Sequence, residues 1–126
     1  MDERFYRGLE EFNEERFFEA HEVLEDLWHE YREADRTFIQ GLIQIAAAFY
    51  HLQSLNVKGA ASQFLKGSEK LRHFLPEYKS VSVATLLDDV QENLQRIQQS
   101  TNENLGSIRY PRIQFTRLAN THIPGS

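Results

Sequence analysis

Apolar residues recur at helical spacing along most of the chain, and nothing before residue 105 alternates with the period of two that a strand requires. The pattern predicts five helices. The first, about Glu3–Phe12, carries Phe5, Leu9 and Phe12 on one side, with Asn13 as its C-terminal cap residue. The second, about Glu15–Arg32, has an acidic first turn and turns Phe17, Ala20, Leu24, Leu27, Trp28 and Tyr31 to one broad face. The third, about Asp35–Leu55, starts with Asp35 as N-cap and is apolar almost all round through Phe38, Leu42, Ile45 and Phe49, which marks it as central. The fourth, about Val57–Phe74, presents Ala61, Phe64, Leu65, Ser68, Leu71 and Leu75 and stops ahead of Pro76, with Gly59 and Gly67 as local weak points. The fifth, about Ser82–Gln99, is capped by Ser82 and repeats Val83, Leu86, Leu87, Val90, Leu94 and Ile97 at i, i+3, i+4, i+7.

After Thr101 the periodicity is lost, and apolar residues alternate on either side of Pro111. The expected organisation is a single all-α domain, a compact helical bundle over residues 1–104 followed by an extended C-terminal arm and tail over 105–126. Proline cannot donate to a sheet ladder and no partner strand is evident, so the arm is expected to lie across the helices through Ile108, Tyr110, Ile113 and Phe115.

A chain of 126 residues that is 40% hydrophobic and 12% aromatic has the material for one packed core. Nineteen acidic residues interspersed with fourteen basic ones give a net charge of −5 and leave no basic stripe, which argues against nucleic acid as a partner. The absence of cysteine excludes disulfides, cysteine-based zinc sites and a cysteine nucleophile. Met1-Asp2-Glu3 lacks the basic and apolar regions of a leader, and the longest apolar run, Leu42 to Tyr50, is far shorter than the roughly 20 residues a bilayer needs. A cytoplasmic protein with no membrane partner is the expectation.

Candidate chemistry gathers on the second helix. At about 100° per residue, His21 falls in the middle of the apolar arc and Trp28 close beside it, while Glu25 sits about 40° from His21 at the arc's edge. His21 is therefore expected to be buried and in contact with Glu25, because an inward carboxylate needs a hydrogen-bonding partner. On the third helix Thr37, Gln40, Gln44 and His51 share a narrow polar stripe flanked by Gly41, Ala47 and Ala48. Facing the second helix, that stripe would complete a buried polar layer with Gln44 or His51 against Glu25 and His21; facing solvent, it would mean little.

The segment Phe12-Asn13, then Phe17-Phe18-Glu19-Ala20-His21-Glu22-Val23-Leu24-Glu25-Asp26-Leu27-Trp28, then Phe38-Ile39-Gln40-Gly41-Leu42-Ile43-Gln44-Ile45-Ala46-Ala47-Ala48, resembles the bacterial and archaeal "domain of unknown function 309" family. The resemblance runs over roughly residues 5 to 75, with the His-x-x-x-Glu-x-x-Trp motif falling on His21, Glu25 and Trp28, and with Asn56 and Gly59-Ala60 also in pattern. It implies a small multihelical fold and suggests a divalent metal as a ligand of the motif, and it brings no catalytic activity with it.

The residues support three readings of the motif. A buried His–Glu layer walled by Trp28 is either structural, fixing helix register, or a small-ligand pocket. A metal site, or a metal-dependent hydrolase, would use His21 and Glu25 one turn apart, His51 as third ligand and Glu22 as base, with Gln40, Gln44 and Trp28 in support; Glu22 lies about 100° from His21 on the wheel. A homo-oligomer or protein-interaction surface would use Phe18, Tyr6 or the arm's aromatics. No Gly-rich phosphate loop, Gly-x-Ser-x-Gly elbow or Ser-His-Asp set stands out.

Overall fold

A computed structural model describes residues 1–99 and 110–116. The helices are α1 Glu3–Asn13, α2 Phe17–Trp28, α3 Glu33–Gln53, α4 Val57–Leu71, continued by a 3-10 turn over Arg72–Phe74, and α5 Val83–Gln99. The expected boundary at 104/105, Ile108 and the tail after Thr116 lie outside the described residues.

The Asp2 carboxylate caps α1 by accepting from the Arg4 backbone N–H at 2.8 Å. Glu15 then takes a left-handed conformation (φ 64°), and the Arg16 N–H returns to the Glu11 carbonyl, closing the helix end. That turn is why α2 begins at Phe17, later than its sequence pattern suggests. Asp35, expected as the cap of the third helix, sits inside the first turn of α3; the cap position is Arg32, and the Asp35 carboxylate instead accepts from the Tyr78 hydroxyl. The same acceptor, with burial, raises the Tyr78 phenol to about 12.

The core is aromatic. Phe49 on α3 lies edge-on to Phe12 and Phe64 and stacks on Phe17, with centroids 4.8 to 5.8 Å apart. α3 packs against α2 on one side and α4 on the other. The buried stripe of α4 is Ala60, Phe64, Gly67 and Leu71, an i, i+4, i+7, i+11 row. Leu65 is one residue off that row and points outward at 58% exposure, and Leu75, past the helix end, is also exposed; both were expected inside.

A short hairpin departs from the helical pattern. β1 (Glu77–Tyr78) and β2 (Val81–Ser82) pair antiparallel around Lys79–Ser80, both with positive φ (50° and 66°). Such turns favour Asn-Gly or Asp-Gly, so a Lys-Ser pair gives no turn signal in the sequence. The hairpin also corrects the expectation that the arm lacks a strand partner: Phe115 bridges to Val81, the Ser82 N–H donates to the Gln114 carbonyl, and the Thr116 N–H donates to the Ser80 carbonyl. Tyr110 packs on Phe17 and Phe49, Phe115 stacks on Tyr6, and Ile113 is buried, so the arm crosses the helices as expected.

Asn13 is the last residue of α1, and its side chain clamps the arm. Its amide donates to the Ile113 carbonyl at 3.0 Å and its carbonyl accepts the Ile113 N–H at 2.6 Å. Replacing Asn13 by Ala is expected to cost about 1–2 kcal/mol, because two hydrogen bonds are lost and the Ile113 backbone is left without partners. Native-state hydrogen exchange at the Ile113 amide should accelerate well beyond the global change; unchanged exchange there would show that the clamp does not hold the arm.

Candidate recognition groove between the second and third helices

The core-facing side of α2 is Phe17, Ala20, Leu24 and Leu27, each at most 1% exposed. His21, Glu25 and Trp28 lie about 100° round the helix from that row, at i, i+4 and i+7 from one another. They line the edge where α2 meets α3 on the outside of the bundle. His21 and Trp28 are half-buried and Glu25 is exposed, so the expected interior layer does not form. The pattern misplaced His21 because the core arc and the groove side of α2 adjoin, and Trp28 and Phe18 extend the apolar arc toward the groove.

α2 and α3 run antiparallel, and two hollows follow one another along their junction. Phe18, His21, Ala47, Tyr50 and His51 line a largely apolar one of about 200 Å³. Glu25, Trp28, Gln40, Ile43 and Gln44 line a more polar one of about 190 Å³. The polar stripe of α3 is therefore divided: His51 faces His21, Gln40 and Gln44 face Glu25 and Trp28, and Thr37 is exposed, its hydroxyl donating to the Glu33 carbonyl.

The residues proposed from the pattern are thus brought to one groove but not to one point. His21 and Glu25 make no hydrogen bond to each other, Glu25 and His51 line different hollows, and Glu22 is exposed and lines neither. Among the described residues, no group of three or more His, Asp or Glu side chains is arranged to hold a metal ion. Tyr6, considered for an outer surface, is buried at 1% exposure, because the arm's Phe115 stacks on it.

Each end of the groove is built differently. At the apolar end the Phe18 ring lies 5.3 Å from Tyr50 and 6.1 Å from His21, and Phe18 and Tyr50 remain 43% and 40% exposed. The Asn56 carbonyl oxygen caps α4 by accepting the Gly59 N–H at 3.0 Å, which turns the Asn56 amide nitrogen toward His51 Nδ1 at 3.3 Å. His51 Nδ1 is then the acceptor, and a neutral His51 carries its proton on Nε2. At the polar end the Arg36 guanidinium lies over the Trp28 ring, 4.0 Å from its centroid, and Lys70 of α4 donates to the Gln44 carbonyl oxygen at 2.9 Å. His21 Nδ1, Trp28 Nε1 and Arg36 Nε are shielded from solvent and have no hydrogen-bond partner among the described residues. Buried polar atoms are usually satisfied, so three orphans along one groove mark it out.

Phe18, Tyr50, Ala47 and Arg36 are groove residues that the pattern did not assign to the motif's site. A usable signal was present for Phe18, which precedes His21 by one turn.

The chain matches no curated protein. Residues 5–63, which span α1 to the first half of α4 and contain the whole α2–α3 groove, match the family model described as Domain of unknown function (DUF309), so that segment is similar to this family.

Proposed function

We propose that this domain is a binding module whose working surface is the α2–α3 groove, with His21, Glu25 and Trp28 as one wall and Gln40, Gln44 and His51 as the other. The observation that carries the reading is the facing of the motif. Core packing on α2 is supplied by Phe17, Ala20, Leu24 and Leu27, with only Trp28 of the motif packed against them from the edge, so His21 and Glu25 are not needed to fill the interior. The orphaned nitrogens of His21 and Trp28 give a ligand polar groups to satisfy beside an apolar hollow, the combination that small-molecule and side-chain sites share.

Trp28 is the chain's single tryptophan, so its emission reports on the groove. A panel of N-acetyl amino-acid amides and short peptides should contain at least one member giving a saturable 1:1 change, lost in both His21→Ala and Tyr50→Ala. A response that survives both substitutions, or no saturable response across the panel, contradicts the reading.

A second reading, a divalent metal, is favoured by one observation: His21 and His51 line the same hollow. It assigns those two imidazoles as protein ligands, with Glu25 displaced to the neighbouring hollow. Titration with Co²⁺ distinguishes it. Ligand-field absorption bands that disappear in both His21→Ala and His51→Ala support a metal site, and a spectrum of aqueous Co²⁺ alone counts against it.

A further inference from the structure

The outer side of α2 carries a surplus of negative charge. Glu19, Glu22, Glu25 and Asp26 are all exposed, and none makes an ion pair among the described residues. Glu30, just beyond the helix, is by contrast held by Arg4 at 2.7 Å, which keeps its carboxyl below the usual carboxylate range. Glu25 and Asp26 stand in the last turn of α2, which has no basic residue, at the helix end where the peptide dipole disfavours anions. The cations Arg36 and Lys70 stand at the polar end of the groove, against the Trp28 ring and the Gln44 side chain, and away from the Phe18–Tyr50 hollow.

Beside this acidic ridge the groove keeps apolar surface exposed at one end. Phe18 and Tyr50 flank the hollow of about 200 Å³, room for one large side chain. Just past the end of α3, Leu55 is 70% exposed in a left-handed backbone (φ 61°), a position that suits glycine. From Phe18 to Trp28 the groove is about 15 Å long, roughly three turns of helix. Two antiparallel helices with an open junction offer a third helix a ridge-and-groove seat.

Resting on the groove as the working surface, we infer that its partner is a short, basic amphipathic helix from another protein. One large apolar side chain of that helix enters the Phe18–Tyr50 hollow, and its Lys and Arg residues lie against Glu22 and Glu25, with Glu19 and Asp26 adding to the field behind them. Charge complementarity sets the sign of the partner, and the apolar hollow sets its register.

The test uses two designed peptides of about 14 residues with the same leucine stripe, one with lysines and one with glutamates on its polar face. Binding to the intact chain is read by Trp28 fluorescence and by amide chemical shifts along α2 and α3. The lysine peptide should bind saturably and the glutamate peptide should not. Glu22→Gln/Glu25→Gln/Asp26→Asn should weaken the lysine peptide about tenfold or more, whereas Asp88→Asn/Asp89→Asn/Glu92→Gln, which removes the same formal charge from α5, should weaken it less than about threefold. Equal binding of both peptides, or equal sensitivity to both triple variants, overturns the proposal. If neither peptide binds while other ligands still report at Trp28, the groove stands and the basic helix falls. Concentration-dependent dimerisation that Tyr50→Ala abolishes and the lysine peptide does not compete with gives the groove to a second copy, and also overturns it.

Discussion

Phe49→Ala should be the most damaging single truncation in this domain, lowering unfolding free energy by about 3–5 kcal/mol. Its ring contacts Phe12, Phe17, Phe64 and Tyr110, so the loss reaches α1, α2, α4 and the arm together. Phe12, Phe17 and Tyr110 cannot move into the space without giving up their contacts with one another. Small domains hold only about 5–15 kcal/mol in all, so the variant should be partly unfolded at moderate temperature or in low urea. Equilibrium urea denaturation followed by circular dichroism measures the effect. A loss below about 1.5 kcal/mol would mean that the aromatic cluster repacks easily and is not the centre of the fold.

Gly67→Ala is the second large effect, and its sign is the informative part. In a helix interior, Gly to Ala normally stabilises by roughly 1 kcal/mol. Here a Cβ on Gly67 would stand 2.9 Å from the backbone carbonyl oxygen of Gly41 and 2.8 Å from Ile45 Cδ1. A side-chain terminus can yield, but the carbonyl belongs to the body of α3, so α3 and α4 must move apart. Overpacking of this kind costs about 1–3 kcal/mol and should outweigh the propensity gain. The melting temperature of Gly67→Ala should therefore fall. A rise would show that the two helices do not approach this closely. The glycine that reads in the sequence as a weak point of the fourth helix is a point of close contact between two helices.

The helices were legible because each repeats apolar residues at 3.6 spacing, and α5 and the core side of α2 follow that repeat closely. Legibility failed where local chemistry carries no mark. Lys79–Ser80 forms a hairpin turn without the Asn or Gly that announces one, and the paired strands are two residues each. Leu65 reads as core by composition, but the true stripe of α4 passes one residue away through Phe64 and Gly67. For the groove, periodicity places His21, Glu25 and Trp28 on one side of α2 with Glu25 at its edge, which is correct, and puts His21 in the interior, which is not. The distinction depends on where α3 lies against α2, a tertiary fact. The same is true of the two hollows, because only the antiparallel pairing of α2 with α3 sends His51 to His21 and Gln40 and Gln44 to Glu25 and Trp28.

His21 and Glu25 belong to a surface groove, and Trp28 is the one residue of the motif that also packs against the core. Urea denaturation of His21→Ala beside Leu24→Ala tests this most directly, since the two residues are neighbours on α2 with opposite assigned roles. Leu24→Ala should lose about 2–5 kcal/mol and His21→Ala less than about 1 kcal/mol. A His21→Ala loss as large as that of Leu24→Ala would place His21 in the structural core and leave the groove without its central residue.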